Sequence, residues 1–523
     1  MGTYRKEVQV MRKLLGVLVL VGIFALIAVA QEPLIMGTTD RVTQLAFANS
    51  YDHYSWHVLR LTTDALMKLD PDTLELKGGI AESWDVSADG TEYTFHIRPG
   101  ITFWDGAPCD AAAVKWSLDR TLRLDGPEGG VGLIKVIDHI DVINDLTVKI
   151  TLTMADAIFL LRMEESMAPA LIYSPKTTPE NDFANGVYAG TGPYKLVEHV
   201  PDQYVKYEAY DGYYGEAPKS KLLIEKLYSD AASLRAAIEA GDVDFVFRTL
   251  SPQDIRDLDA NPNVVLEFFP PSPGVRYILF NVTQPPVDDP LVRQAVSYAV
   301  DRAAIASQVF EGTVDPIYTM VPMVDPPFFG AIPVFPERDL EKAVELLRKA
   351  GYTAANPLEV NLWFSPKHYG TTEADVAAVL KGSLEEIAAI KIEIKSLEWG
   401  AYTERMSGGG FDMYLLGWHP DYLESSNFLA PWTTESPEGL GTYFNNHPNY
   451  EAYKHIMEVA TTTVDTEKRS KLYQAIQMLS VQDVPWIPLW AMTDEMVMAW
   501  LPNVHGCTLN ITMDVRCERV WKD

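Results

Sequence analysis

The sequence predicts an α/β protein of more than one lobe, on three observations. Helix-like and strand-like segments alternate, as in "SLRAAIEAGDVDFVF" (233–247), where a helix, a glycine stop and a short apolar strand follow one another. The 523 residues exceed a single core, since domains cluster at roughly 100–200 residues. After residue 30 no Ser/Gly tract, repeat or long charge run interrupts the chain. Lobes sharing several chain crossings are therefore expected, rather than beads on a linker.

The first thirty residues differ from the rest. Arg5, Lys6, Arg12 and Lys13 precede an uncharged apolar run, Leu14 to Val29, closing on Ala28-Val29-Ala30. This is the pattern of a cleaved secretory signal, for which Met11 is the more typical start. The run falls short of the roughly 20 residues a spanning helix needs. No Cys follows the cleavage point to take a lipid anchor. Exposure outside the cytoplasm, periplasmic or extracellular, follows.

Hydrophobic residues make up 47% and charged residues 22%, a globular composition that excludes general disorder. Net charge is −29, and loss of residues 1–30 makes it −32. Nucleic acid and anionic lipid are poor partners for such a surface. The charge reads first as solubility, and secondarily as mild attraction for cationic solutes. Of three cysteines, Cys507 and Cys517 flank "TLNITMDVR", a candidate hairpin that a disulfide could close, and Cys109 has no evident partner. No CxxC or Cys/His quartet is present, so neither a structural zinc nor another cofactor is expected.

Along the chain, "YTFHIRPGITFW" (93–104) reads as two strands about Pro99-Gly100, and Asp110 as the cap of a helix bearing Val114, Leu118 and Leu122. Residues 136–153 read as two alternating strands and 190–210 as a hairpin with turn glycines. The second half is richer in helices, predicted over 289–310, 339–352, 373–390 and 465–483. "VNLWF", "IKIEI" and "DMYLLGW" read as strands, and "VPWIPLWA" as a proline-punctuated apolar segment.

Several of these stretches together resemble family 5 of the extracytoplasmic solute-binding proteins of ABC importers. They are "ESWDVSADGTEYTFHIRPGITFWDGAPCDAAAVKWSLDR" (82–120), "GTGPYKLVE" (190–198), "LFNVTQPPVDDPLVRQAVSYAVDR" (279–302), "AVELLRKAGY" (343–352) and "GWHPDYLESSNFL" (417–429). The resemblance implies a two-lobed periplasmic-binding-protein-like fold (type II, cluster C) with an extra domain inserted in the first lobe. Domain I would comprise 31–66, 188–280 and 487–523, domain II 67–187 and domain III 281–486, with hinge strands near Asn281 and Pro485. It further implies a monomer that closes on an oligopeptide or dipeptide and presents it to a membrane permease.

The resemblance also points to "LLGWHPDY" (415–422), where peptide-binding members present an Asp to the peptide's α-ammonium and Asp421 stands here. A buried amine needs an opposite charge to replace its water. Pro420 would stiffen the approach, and Trp418 and Tyr422 would wall the site. Read without the resemblance, both aromatics are core and Asp421 caps a turn. His419 lacks a companion ligand at helical or strand spacing and is a poor metal site, which disfavours a nickel complex. Lys367 and His368 stand where dipeptide binders place a carboxylate-holding Arg, and Lys367 lacks that fork. Tyr51, Tyr54 and Trp56 in "SYDHYSWHV" suit either peptide side chains or sugar rings, so an oligosaccharide receptor is the alternative. "FWDGAP" (103–108) reads as structural. Enzyme signatures such as GxSxG, HExxH and GxxxxGK[ST] are absent, and Glu164-Glu165 and Asp288-Asp289 read as a solvated face and a helix start. A secreted hydrolase is the remaining alternative.

Overall fold

The structure, a computed structural model, describes residues 32–523 except 128, 184, 185, 249, 270, 325–327 and 435–438. The expected signal, 1–30, lies outside these residues.

Two large sheets organise the chain. The first has seven strands in the order Val265–Phe268, Val497–Trp500, Phe245–Phe247, Leu34–Thr38, Leu222–Leu227, Tyr204–Ala209, Tyr194–Val200. Leu34–Thr38 pairs in parallel with both neighbours. The helix–glycine–strand unit read from 233–247 is the return arm of this parallel crossover. Its helix, Ala231–Ala240, starts where the Asp230 carboxylate accepts from Ser233 N–H and stops at Gly241 with φ of 76°. The 190–210 hairpin forms the antiparallel edge of the same sheet.

The second sheet has six strands in the order Asp315–Pro316, Trp486–Ala491, Val275–Phe280, Met413–Trp418, Leu358–Phe364, Ile390–Ser396. Val275–Phe280 is buried at every position, as expected of a strand covered on both faces. Pro488 cannot donate to the ladder, and the register slips beside it, between Arg276 and Tyr277. A third, antiparallel sheet of four strands (81–86, 92–97, 147–152, 137–144) lies in sequence between two strands of the first sheet. One hydrophobic core joins it to the seven-stranded sheet, and a second core surrounds the six-stranded sheet.

The chain passes between the large sheets twice, at 269–274 and at 492–496. These passages are tied together, Phe269 N–H donating to Met496 O (2.7 Å) and Met492 N–H to Gly274 O (3.0 Å). The expected boundaries at 280 and 487 assign Val275–Phe280 and all but the first residue of Trp486–Ala491 to the first lobe. Both strands are hydrogen-bonded into the second sheet, so the passages lie a strand away from Asn281 and Pro485.

Other expectations shift for local reasons. The single helix read over 289–310 is two, Pro290–Ala299 and Arg302–Gln308, because Asp301 breaks it to cap the second. After Pro99-Gly100 only a bridge forms, Thr102 to Pro108. Asp105 is structural as expected, accepting from Ala107 N–H and Ser174. Glu164 and Glu165 are buried, not solvated. Glu165 pairs with Lys68 (3.2 Å) and Arg516 (3.0 Å), whereas burial pushes Glu164 up to about 8. Leu509 bridges Val515 in the expected hairpin, and all three cysteines are buried and unbridged. Among the described residues no helix is long and apolar enough to cross a membrane.

"GTG" (190–192) brings the edge hairpin onto the end of helix His53–Thr62, where a Cβ on Gly190 would stand 2.1 Å from the Thr62 carbonyl oxygen. Backbone cannot yield there as a side chain would. Gly190→Ala is expected to lower stability by about 3 kcal/mol, measured by urea unfolding, whereas Gly132→Ala, which meets nothing within 4 Å, changes little.

Candidate functional site

Strands 358–364 and 413–418 are parallel neighbours, so the loops leaving them emerge at the same carboxyl edge of the second sheet, where ligands of α/β sheets bind. Tyr369 fastens the first loop to the second strand by donating to Gly417 O (3.1 Å). Its ring lies 3.9 Å from the Arg276 guanidinium, whose Nη2 donates to both oxygens of Glu373 (2.7 Å each). Lys367 and His368 are exposed on this loop, and His368 stacks flat on Trp399 (3.5 Å between centroids, 3°).

The "GWHPDY" corner is folded by one side chain that the sequence did not single out. Asn427 Oδ1, on the turn Ser425–Phe428, accepts from the Trp418 indole (2.8 Å) and from the Asp421 N–H (2.9 Å). This holds the Asp421 carboxylate partly exposed, facing the first lobe. There Tyr51 donates its hydroxyl to Asp421 Oδ2 (3.0 Å). Tyr51 is 46% exposed and rests edge-on against Trp56 (5.4 Å), so a partner from each lobe meets at a surface that solutes can reach. A carboxylate in this setting accepts hydrogen bonds from a cation at little desolvation cost, and closure then strengthens the pair.

The same passage floor carries more charge. His419 Nε2 lies 3.2 Å from Glu495 Oε2, and Arg248 Nη2 lies 3.2 Å from the same oxygen. His53, on the first lobe, has its ring 6.3 Å from that of His419 and Nε2 2.9 Å from Thr512 O. Burial pushes Glu495 up, but Arg248, His419 and Arg276 outweigh it and hold the acid at about 2. Its neighbour Asp494 has burial and the Glu495 charge acting together and is pushed up to about 7. Burial and the Arg248 charge depress His53 to about 4. Arg248 has φ of +66°, unusual for a non-glycine residue and typical of functional positions.

Two of the residues read as site walls lie elsewhere. Tyr54 is buried, donating to Glu225 Oε2 (2.8 Å) inside the first lobe. Tyr422 is 4% exposed, with its ring packed into the core of the first lobe. Trp418 is half-buried against Trp432 (5.1 Å). Asp421, His419 and Tyr51 share the passage between lobes, with Lys367 on the neighbouring loop. Asn427, Arg248, His53 and Glu495 also lie at this passage without having been singled out from the sequence, and only the loop order after the strand could have hinted at Asn427. Among the described residues, His57, Glu225 and Cys517 group closely enough to consider a cation. Hydrogen bonds from Tyr54 and Tyr207 (3.0 Å), with His57 at 2.9 Å, already satisfy Glu225.

Two sheets joined by a paired double passage, with polar side chains of both facing across it, define a two-lobed solute-binding protein. The family profile described as bacterial extracellular solute-binding proteins, family 5 (middle), matches residues 75–439. The chain belongs to this family. It is 31% identical over 489 residues to the glutathione-binding protein GsiB of Salmonella paratyphi A, covering 92% of each chain. It is 28% identical over 440 residues to the dipeptide-binding protein of Escherichia coli, covering 79% of this chain and 80% of that one. The crystal structure of a dipeptide-binding protein from Pseudoalteromonas sp. SM9913 in complex with Met-Leu superposes with a TM-score of 0.80 at 22% identity. That match covers 94% of this chain and 100% of the other, and extends the likeness to the whole fold.

The Asp494 carboxyl binds its proton more tightly folded than unfolded, so its contribution to stability falls as pH rises from about 4 to about 7. Asp494→Asn is therefore expected to leave the melting temperature unchanged near pH 3.5 and to raise it by a few degrees at pH 8, a gain that grows across that window. Calorimetric scans at stepped pH check this.

Proposed function

We propose that this protein is the exported receptor of an ABC importer and binds short peptides by their free α-ammonium group between its lobes. The observation that carries this reading is the partly exposed Asp421 carboxylate of one lobe, 3.0 Å from the Tyr51 hydroxyl of the other. An ammonium placed there replaces lost water with a fixed charge and a phenol dipole. The passages at 269–274 and 492–496 are the hinge of this reading, with the first lobe, its inserted domain and the second lobe divided there. Closure adds contacts unavailable to the open form, and a membrane permease reads the closed shape. The names of the relatives agree: one is a dipeptide-binding protein, and the other binds glutathione, a tripeptide with a free α-ammonium.

The oligosaccharide alternative loses support, because Tyr54 and Tyr422 are in the core and leave fewer rings for stacking. Catalysis is not part of the reading. Lys367 is proposed as an outer contact for the ligand's anionic end.

Asp421→Ala is expected to weaken a free-amine peptide such as trialanine by about 2–5 kcal/mol in titration calorimetry, with the melting temperature of the unliganded protein nearly unchanged. Unaltered affinity in that variant would remove the ammonium clamp from the account.

A further inference from the structure

Two side chains beside Asp421, those of Tyr51 and Tyr422, adjoin the inserted domain. Tyr51 Cδ2 lies 3.0 Å from where a Cβ on Gly130 would stand, and Trp56 3.3 Å from it. A Cβ at position 130 would therefore crowd the Tyr51 and Trp56 rings and make Tyr51 shift by a few tenths of an ångström. Gly130 caps the turn Val131–Ile134, and Leu133 O in that turn accepts from Arg162 Nη1 (3.1 Å). Arg162 Nε donates to Asp156 Oδ2 (2.8 Å), and the guanidinium lies 5.0 Å from the centre of the Tyr422 ring. Tyr422 directly follows Asp421 and is packed into the core shared by the first lobe and the inserted domain. Close by, Ala157 N–H donates to Thr461 O of the second lobe (2.8 Å). Two inserted segments, 130–134 and 156–162, thus form one tied wall. One end of the wall supports Tyr51, and the other end fixes the residue next to Asp421.

Resting on the peptide reading, we infer that Gly130 and Arg162 of the inserted domain are positioning residues that set the Asp421 carboxylate and its Tyr51 partner for the ligand's ammonium group. Neither touches the ligand. Arg162 acts through Tyr422 on the Asp421 backbone, and Gly130 acts by giving Tyr51 room. The inserted domain is then part of the recognition apparatus, and its loss of fit appears as lost discrimination for charge at the ligand's amino end.

The test compares trialanine with N-acetyl-trialanine by titration calorimetry, or by competition where heats are small. Wild-type protein is expected to prefer the free amine. Arg162→Met is expected to weaken trialanine about tenfold, to leave N-acetyl-trialanine within about twofold, and to add nothing in an Asp421→Ala background. Gly130→Ala is expected to act in the same direction, and it carries the test should Arg162→Met fail to fold by circular dichroism. Equal loss for both peptides, no loss for either, or losses that add to Asp421→Ala would overturn the positioning role. A wild-type protein without preference for the free amine would sink the peptide reading itself. A preference that depends on Asp421 but ignores the wall would sink only this inference.

Discussion

Covalent continuity between the two sheets is confined to two short segments, 269–274 and 492–496, hydrogen-bonded to each other at both ends. That constraint shapes the rest of the molecule. The two segments are cross-tied at both ends, and Thr493–Glu495 in the second forms a short 3-10 turn. Gly274, at the end of one segment, allows His419 to lie against the backbone, where a Cβ would meet its ring at 2.7 Å. Asp494 and Glu495, in the other segment, put two acids at the base of the passage. The molecule keeps Glu495 charged by giving it Arg248 and His419, and leaves Asp494 to be neutralised by its own proton.

Against this floor, the Asp421 corner proposed to take the ligand sits at the lip. A single amide side chain, Asn427, accepts from both the Trp418 indole and the Asp421 N–H, and its Nδ2 donates to Asp421 Oδ2 (3.5 Å). Asp421 faces the other lobe, where Tyr51 meets it. The arrangement sets two kinds of acid side by side: Glu495 in the floor is paired with Arg248 and His419, while the partly exposed Asp421 takes the Tyr51 hydroxyl across the passage.

Much of the fold was legible because its elements carry local signals. Asp110 marks a helix start and caps it with its carboxylate, and Gly241 stops another helix as the glycine in 233–247 signals. Alternation in 137–144 and 147–152 fixed an antiparallel pair. What the sequence does not display is which sheet a strand buried on both faces joins. "VRYILF" and "WIPLWA" show no clean alternation to orient them, and they pair with each other, with "VRYILF" also pairing with 413–418. The loop pattern placed Asp421 at the passage between the sheets, where the structure has it facing Tyr51, while Tyr54 and Tyr422 misled because an amphipathic ring reads the same in a core and in a cleft. Glu164 and Glu165 misled for the complementary reason: their cations, Lys68 and Arg516, come from distant parts of the chain.

The most direct measurement is a crystal structure of the protein with the guest it retains on purification. The account predicts a guest whose cationic nitrogen stands about 3 Å from an Asp421 oxygen, beneath the Tyr51 hydroxyl and out of bulk water. A guest with no positive group there, or Asp421 turned to open solvent in the closed form, would contradict it.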